Sequence, residues 1–100
     1  MTSGIKQFLS EKKVDLRDFG LAFARLIANL AVDPHGYFEK KYTARIESSH
    51  SDHEICSVLT QLMQWVDSPI VTEAERARLD RQLGELGYPC VDDLRGLLLP

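Results

Sequence analysis

Apolar residues recur along this chain at three- and four-residue intervals, the spacing that gathers side chains on one face of an α-helix. The clearest series is Leu16, Phe19, Phe23, Leu26, Ile27 and Leu30. Leu21, Ala24, Ala28 and Ala31 widen it. A face that broad must be covered from several sides, so this segment is expected to be the central helix. Asp15 stands at its N-cap. Gly20 weakens the helix by about 1 kcal/mol against alanine, and lets a neighbour approach closely.

The same rhythm predicts helices on both sides. Ser3 is expected to cap a short first helix with Ile5, Phe8 and Leu9 inward. Asp33-Pro34 suits the start of a third, because proline has no N–H to lose at the first helical position. Phe38, Tyr42 and Ile46 then face the core, and Glu39, Lys40, Lys41 and Arg45 face water. Ile55, Val58, Leu59, Leu62 and Val66 mark a fourth. Thr72 and Glu75 form a capping box ahead of Leu79, Leu83 and Leu86. Gly87 stops that fifth helix and Pro89 follows. Val91, Leu94, Leu97 and Leu98 make a last short one, with Asp92 and Asp93 at its positive end. Strand alternation and Asn-Gly or Asp-Gly turns are lacking. The expectation is an all-α single domain over residues 1–100, a bundle of five or six helices.

Residues 77–98, ARLDRQLGELGYPCVDDLRGLL, resemble the helix–turn–helix pair that follows the DNA-reading part of MerR-type regulators. Leu86, Gly87 and Tyr88 stand at the turn, and Asp93, Leu94 and Leu97 in the second helix. The DNA-contacting segment and wing of that family have no counterpart upstream. What the resemblance implies is therefore a helix hairpin and no function.

Reactive side chains are densest in residues 47–56, ESSHSDHEIC. Ser51 and Glu54 have capping-box spacing, and Asp52 and Glu54 suit the positive end of a helix. That leaves His50, His53 and Cys56 as candidate metal ligands, with His35 or Cys90 completing a set if the fold delivers them. Zinc needs three or four convergent ligands. Three-residue spacing turns each of these side chains about 60° from the last. The expectation is a helix start, with a metal sensor as an alternative and no resident cofactor. A cysteine nucleophile would need a lowered thiol pKa and an orienting base. Neither is visible, and no enzymatic activity is expected.

Charge changes the picture more than composition does. The net charge is −3. Residues 1–50 carry eight Lys or Arg against six acids; residues 51–100 carry four against nine. An acidic second half can steer and select a basic partner. Asp67, Glu73, Glu75, Asp80, Glu85, Asp92 and Asp93 are the candidate protein-binding residues. The expected function is a small protein binder of inhibitor, immunity or adaptor type. The alternative is a nucleic-acid accessory protein using Lys40, Lys41 and Arg45 among the aromatics of GYFEKKYTAR. Trp65 reads as core or core edge, and in the sharper reading as a binding anchor. A homodimer through the broad second helix is open.

The N-terminus lacks the apolar stretch of a secretory signal, and no run approaches the ~20 residues of a membrane span. Two cysteines are too few for a disulfide framework. The cytoplasm is the expected compartment.

Overall fold

The computed structural model describes residues 3–30 and 36–98. They form six helices and no strand: α1 (Ser3–Glu11), α2 (Leu16–Ala28), α3 (Tyr37–Glu47), α4 (Asp52–Val66), α5 (Glu73–Glu85) and α6 (Val91–Leu98). The expected all-α bundle is what the chain adopts. The Asp33-Pro34 start of the third helix, and His35 as a further ligand, lie outside the described residues.

Helix α2 packs against α3, α4 and α5, and α6 packs against α1, α4 and α5. The central role of α2 follows from its apolar face: Phe19, Phe23, Ala24 and Ile27 are fully buried. The Phe19 and Phe23 rings stack with centroids 5.7 Å apart. Tyr88, in the α5–α6 turn, meets Phe19 edge-on at 5.1 Å. Phe19 thus joins the central helix to the C-terminal hairpin. At Gly20 both α3 and α4 lie close against α2. A β-carbon there would lie 3.3 Å from Ile46 and 3.7 Å from Ile55.

Most of the expected caps are in place. The Asp15 carboxylate accepts from the Arg17 and Asp18 amides. Thr72 and Glu75 make the reciprocal capping box at α5. At α4 the Ser51 hydroxyl accepts from the Glu54 amide at 3.2 Å. Glu54, expected to reach back to the Ser51 amide, accepts instead from the His50 N–H at 2.7 Å. Extended Ser51 leaves the preceding amide within reach of that carboxylate. Ser3, expected as a cap, is the first residue of α1. Helix α2 ends at Ala28 with Asn29 as its C-cap, so Leu30 is buried just beyond the helix rather than within it.

Two helices end in the same hydrogen-bonded motif. After α5, Gly87 has φ 79°, and the Tyr88 N–H donates to the Leu83 carbonyl at 2.9 Å. After α1, the Val14 N–H donates to the Leu9 carbonyl at 2.8 Å. Both are Schellman ends, which need a left-handed residue in the penultimate place. At α1 that residue is Lys13, with φ 59°. A side chain in this conformation costs about 1 kcal/mol, a cost glycine escapes. Lys13→Gly is therefore expected to stabilise the fold by about 0.5 kcal/mol after allowing for glycine's looser unfolded chain, read as a higher urea midpoint. An unchanged or lower midpoint would mean that Lys13 is unstrained.

Candidate functional site

Several charged side chains in this bundle are occupied at helix ends. Arg17 donates to the Glu47 and Ser49 carbonyls at the end of α3. Arg76 donates to the Val66 carbonyl at the end of α4, and Arg78 to Asn29 at the end of α2. Each cation thus satisfies carbonyls that a helix C-terminus leaves unpaired, where the helix dipole also favours positive charge. Lys6 pairs with Asp52, joining α1 to the start of α4.

The seven candidate acids divide in the same way. Asp67 takes both ends of the Arg95 guanidinium, which also reaches Asp92. Glu75 completes the α5 capping box. Asp80 accepts from the Val91 N–H at 2.7 Å, so a side chain of α5 caps the first amide of α6. These four acids hold the fold. Glu73, Glu85 and Asp93 are exposed and make no ion pair among the described residues.

The structural role of Asp67 and Glu75 has a pH signature. Hydrogen bonds from Arg95, then its charge and that of Arg76, hold the Asp67 carboxyl below the usual range. Hydrogen bonds from Thr72 do the same for Glu75. Depressed carboxylates contribute stability that is complete above their unfolded values, about 4. The contribution is lost as pH falls through the lower folded values. Urea midpoints are expected to drop below about pH 4, and to drop less in Asp67→Asn/Glu75→Gln. Equal slopes in the two proteins would refute the assignment.

The His–Cys stretch is dispersed. His50 and His53 are exposed, whereas Cys56 is buried against the core. Among the described residues no three His, Cys, Asp or Glu side chains are grouped to hold a metal ion. Burial, and secondarily the Asp52 charge, pushes the Cys56 thiol pKa up. That is the direction away from a reactive thiolate. The cleft beside this stretch is lined by Arg45, Ser48, Ser49, Glu54, Ser57 and Val58.

A different grouping forms where α3 runs beside α4. Phe38 and Tyr42, expected to face the core with Ile46, are only half-buried. Ile46 alone of α3 is fully enclosed, because it meets Gly20 on α2. Two turns earlier, Phe38 packs on Trp65 near the end of α4 with centroids 5.4 Å apart, and Phe38, Tyr42 and Trp65 all lie against the core cluster. Phe38 and Tyr42 lie 4.6 Å apart. Lys41 and Arg45 sit over the Tyr42 ring at 5.5 and 5.7 Å, within cation–π range. Arg45 also donates to Gln61 on α4. Tyr37 is 71% exposed at the start of α3, and Ile70 is 75% exposed in the loop after α4.

This edge therefore shows three half-buried aromatic rings, with two cations covering one of them. Among the described residues, Lys40, Lys41 and Arg45 form no ion pair with a carboxylate. Glu39, the acid among them in sequence, turns toward Arg25 at 3.5 Å. Of the basic trio expected from the sequence, Lys41 and Arg45 thus join the ring cluster that includes Trp65, whereas Lys40 makes no contact with it among the described residues. The available signal was the matching of two helix faces, Phe38–Tyr42 on α3 with Gln61–Trp65 on α4.

What the fold defines is a small six-helix bundle carrying an aromatic–cationic edge between α3 and α4. Comparison with protein-family models, with curated proteins and with solved structures finds no match to this chain.

Proposed function

We propose that this chain is a small protein-binding module, of inhibitor, immunity or adaptor type, acting through the α3–α4 edge. The observation that carries the proposal is the partial exposure of Phe38, Tyr42 and Trp65 beside Lys41 and Arg45. Binding energy at protein interfaces concentrates in Trp, Tyr and Arg, held by packed neighbours and desolvated when the partner arrives. The rings here are already fixed by one another, so little rotamer freedom is left to lose on binding.

The acidic second half enters this reading differently from the contact surface first expected. With Asp67, Glu75, Asp80 and Asp92 each accepting hydrogen bonds from within the chain, Glu73, Glu85 and Asp93 supply a field around the molecule. Such a field affects which partners approach and how fast, more than how tightly they hold.

No helix among the described residues is long and apolar enough to cross a membrane. Cys56 and Cys90 are both free thiols. Free thiols are normal in a reducing compartment, and the cytoplasm is the compartment we propose.

Tagged protein incubated with extract of its source cells, with and without nuclease, tests the reading. Recovery of one stoichiometric protein partner that survives nuclease is expected. Recovery that collapses with nuclease would transfer the edge to the nucleic-acid alternative built on Lys40, Lys41 and Arg45.

A further inference from the structure

Resting on the reading that the α3–α4 edge docks a protein, we infer that its occupant is an acidic segment of the partner. That segment carries a few carboxylates beside an apolar or aromatic anchor. Charge complementarity is the first argument. Elsewhere in the bundle, Arg17, Arg76, Arg78 and Arg95 are held by backbone carbonyls or carboxylates and Lys6 by Asp52, whereas Lys12, Lys13 and Arg81 stand apart from this edge and likewise make no ion pair among the described residues. At this edge Lys41 and Arg45, with Lys40 on the same helix, have no such acid among the described residues. Lys41 and Arg45 cover the Tyr42 ring instead. An arriving carboxylate can draw them outward and uncover the ring for an apolar side chain.

Ring geometry is the second argument, and it separates a peptide from a nucleic acid. Bases stack on open aromatic faces. Here Phe38 is tilted 47° against Tyr42 and 49° against Trp65, so the rings pack into one another. Such a cluster suits an aliphatic or aromatic side chain laid along it. A long phosphate backbone would also extend beyond these cations over a chain of net charge −3. A short segment's few carboxylates need reach no further than Lys40, Lys41 and Arg45.

The test is selection of a display library of random short peptides on the immobilised protein, followed by competition with a short oligothymidine. Enrichment of sequences pairing Asp or Glu with an aromatic or aliphatic residue is expected. Their affinity should fall about tenfold in Lys41→Glu/Arg45→Glu. It should fall similarly in Lys40→Glu/Lys41→Glu, which leaves the Arg45–Gln61 contact intact, and should weaken with added salt. Circular dichroism and urea midpoints of both variants confirm that the fold is retained. Enrichment of basic or uncharged peptides whose binding Tyr37→Ala abolishes would overturn the acidic occupant, while leaving the edge a protein surface. Peptides indifferent to these substitutions, or no enrichment, would overturn both the occupant and the surface. Displacement of the selected peptides by oligothymidine at lower concentration than the free peptide requires would assign the edge to nucleic acid and overturn both.

Discussion

Phe19→Ala is expected to destabilise the bundle by about 4 kcal/mol, the middle of the range for truncating a buried phenylalanine. The ring is fully buried and touches two separate parts of the structure, stacking on Phe23 and receiving the edge of Tyr88. Its removal leaves a cavity at the junction of α2 with the α5–α6 turn. It also forfeits two aromatic contacts that act beyond area burial, each worth about 1 kcal/mol. Domains of this size are stable by only 5–15 kcal/mol, roughly. A fall in melting temperature on the order of 20 °C is therefore expected. Calorimetry or thermal circular dichroism measures it. A loss below about 1 kcal/mol would show that Phe19 does not bridge these elements.

Gly20→Leu is expected to cost about 3 kcal/mol, at the upper end for overpacking. The β-carbon alone would stand 3.3 Å from Ile46, with Ile55 at 3.7 Å, so every atom beyond it must displace α3 or α4. Gly84→Ala is the matched comparison. It too exchanges a helical glycine, but a β-carbon there meets nothing within 4 Å. That substitution should stabilise by about 0.5 kcal/mol, reduced from the full propensity difference because Gly84 lies in the last turn of α5. Opposite signs at two helical glycines separate helix propensity from helix packing. Stabilisation by both would mean that α2 and α3 are not in contact at Gly20.

Those two residues also indicate what the sequence makes legible. Phe19 lies on the apolar series of α2, so its burial follows from periodicity, and Gly20 stands out as a glycine on a helix otherwise built to be covered. Local signals were equally readable: Asp15, Thr72 with Glu75, and Gly87 act on amides or carbonyls within a few residues of themselves. Non-local pairings were not readable. Asp80 caps α6 from α5, and Arg17, Arg76 and Arg78 close helices other than their own. A count of charges along the chain therefore does not show which acids and bases are already paired within the fold.

Lys13 was hidden for a different reason. Its left-handed backbone is imposed by the Leu9–Val14 hydrogen bond, and no glycine announces it. The α3–α4 edge was partly visible as GYFEKKYTAR. Helical spacing alone assigned Phe38 and Tyr42 to the core, because it shows which residues share a face and not which neighbour covers them. Both rings do pack against the core cluster, and Phe38 also meets Trp65 at the end of α4, yet each stays half-buried.

The most direct measurement compares the partners captured by the wild-type chain and by Tyr37→Ala/Lys41→Glu, a variant of two exposed positions, after nuclease treatment. Urea midpoints verify that both are folded. The account predicts one stoichiometric protein partner with the wild type and at least about a tenfold loss of it with the variant. Equal recovery by the two proteins would contradict the claim that this chain recognises its partner through the α3–α4 edge.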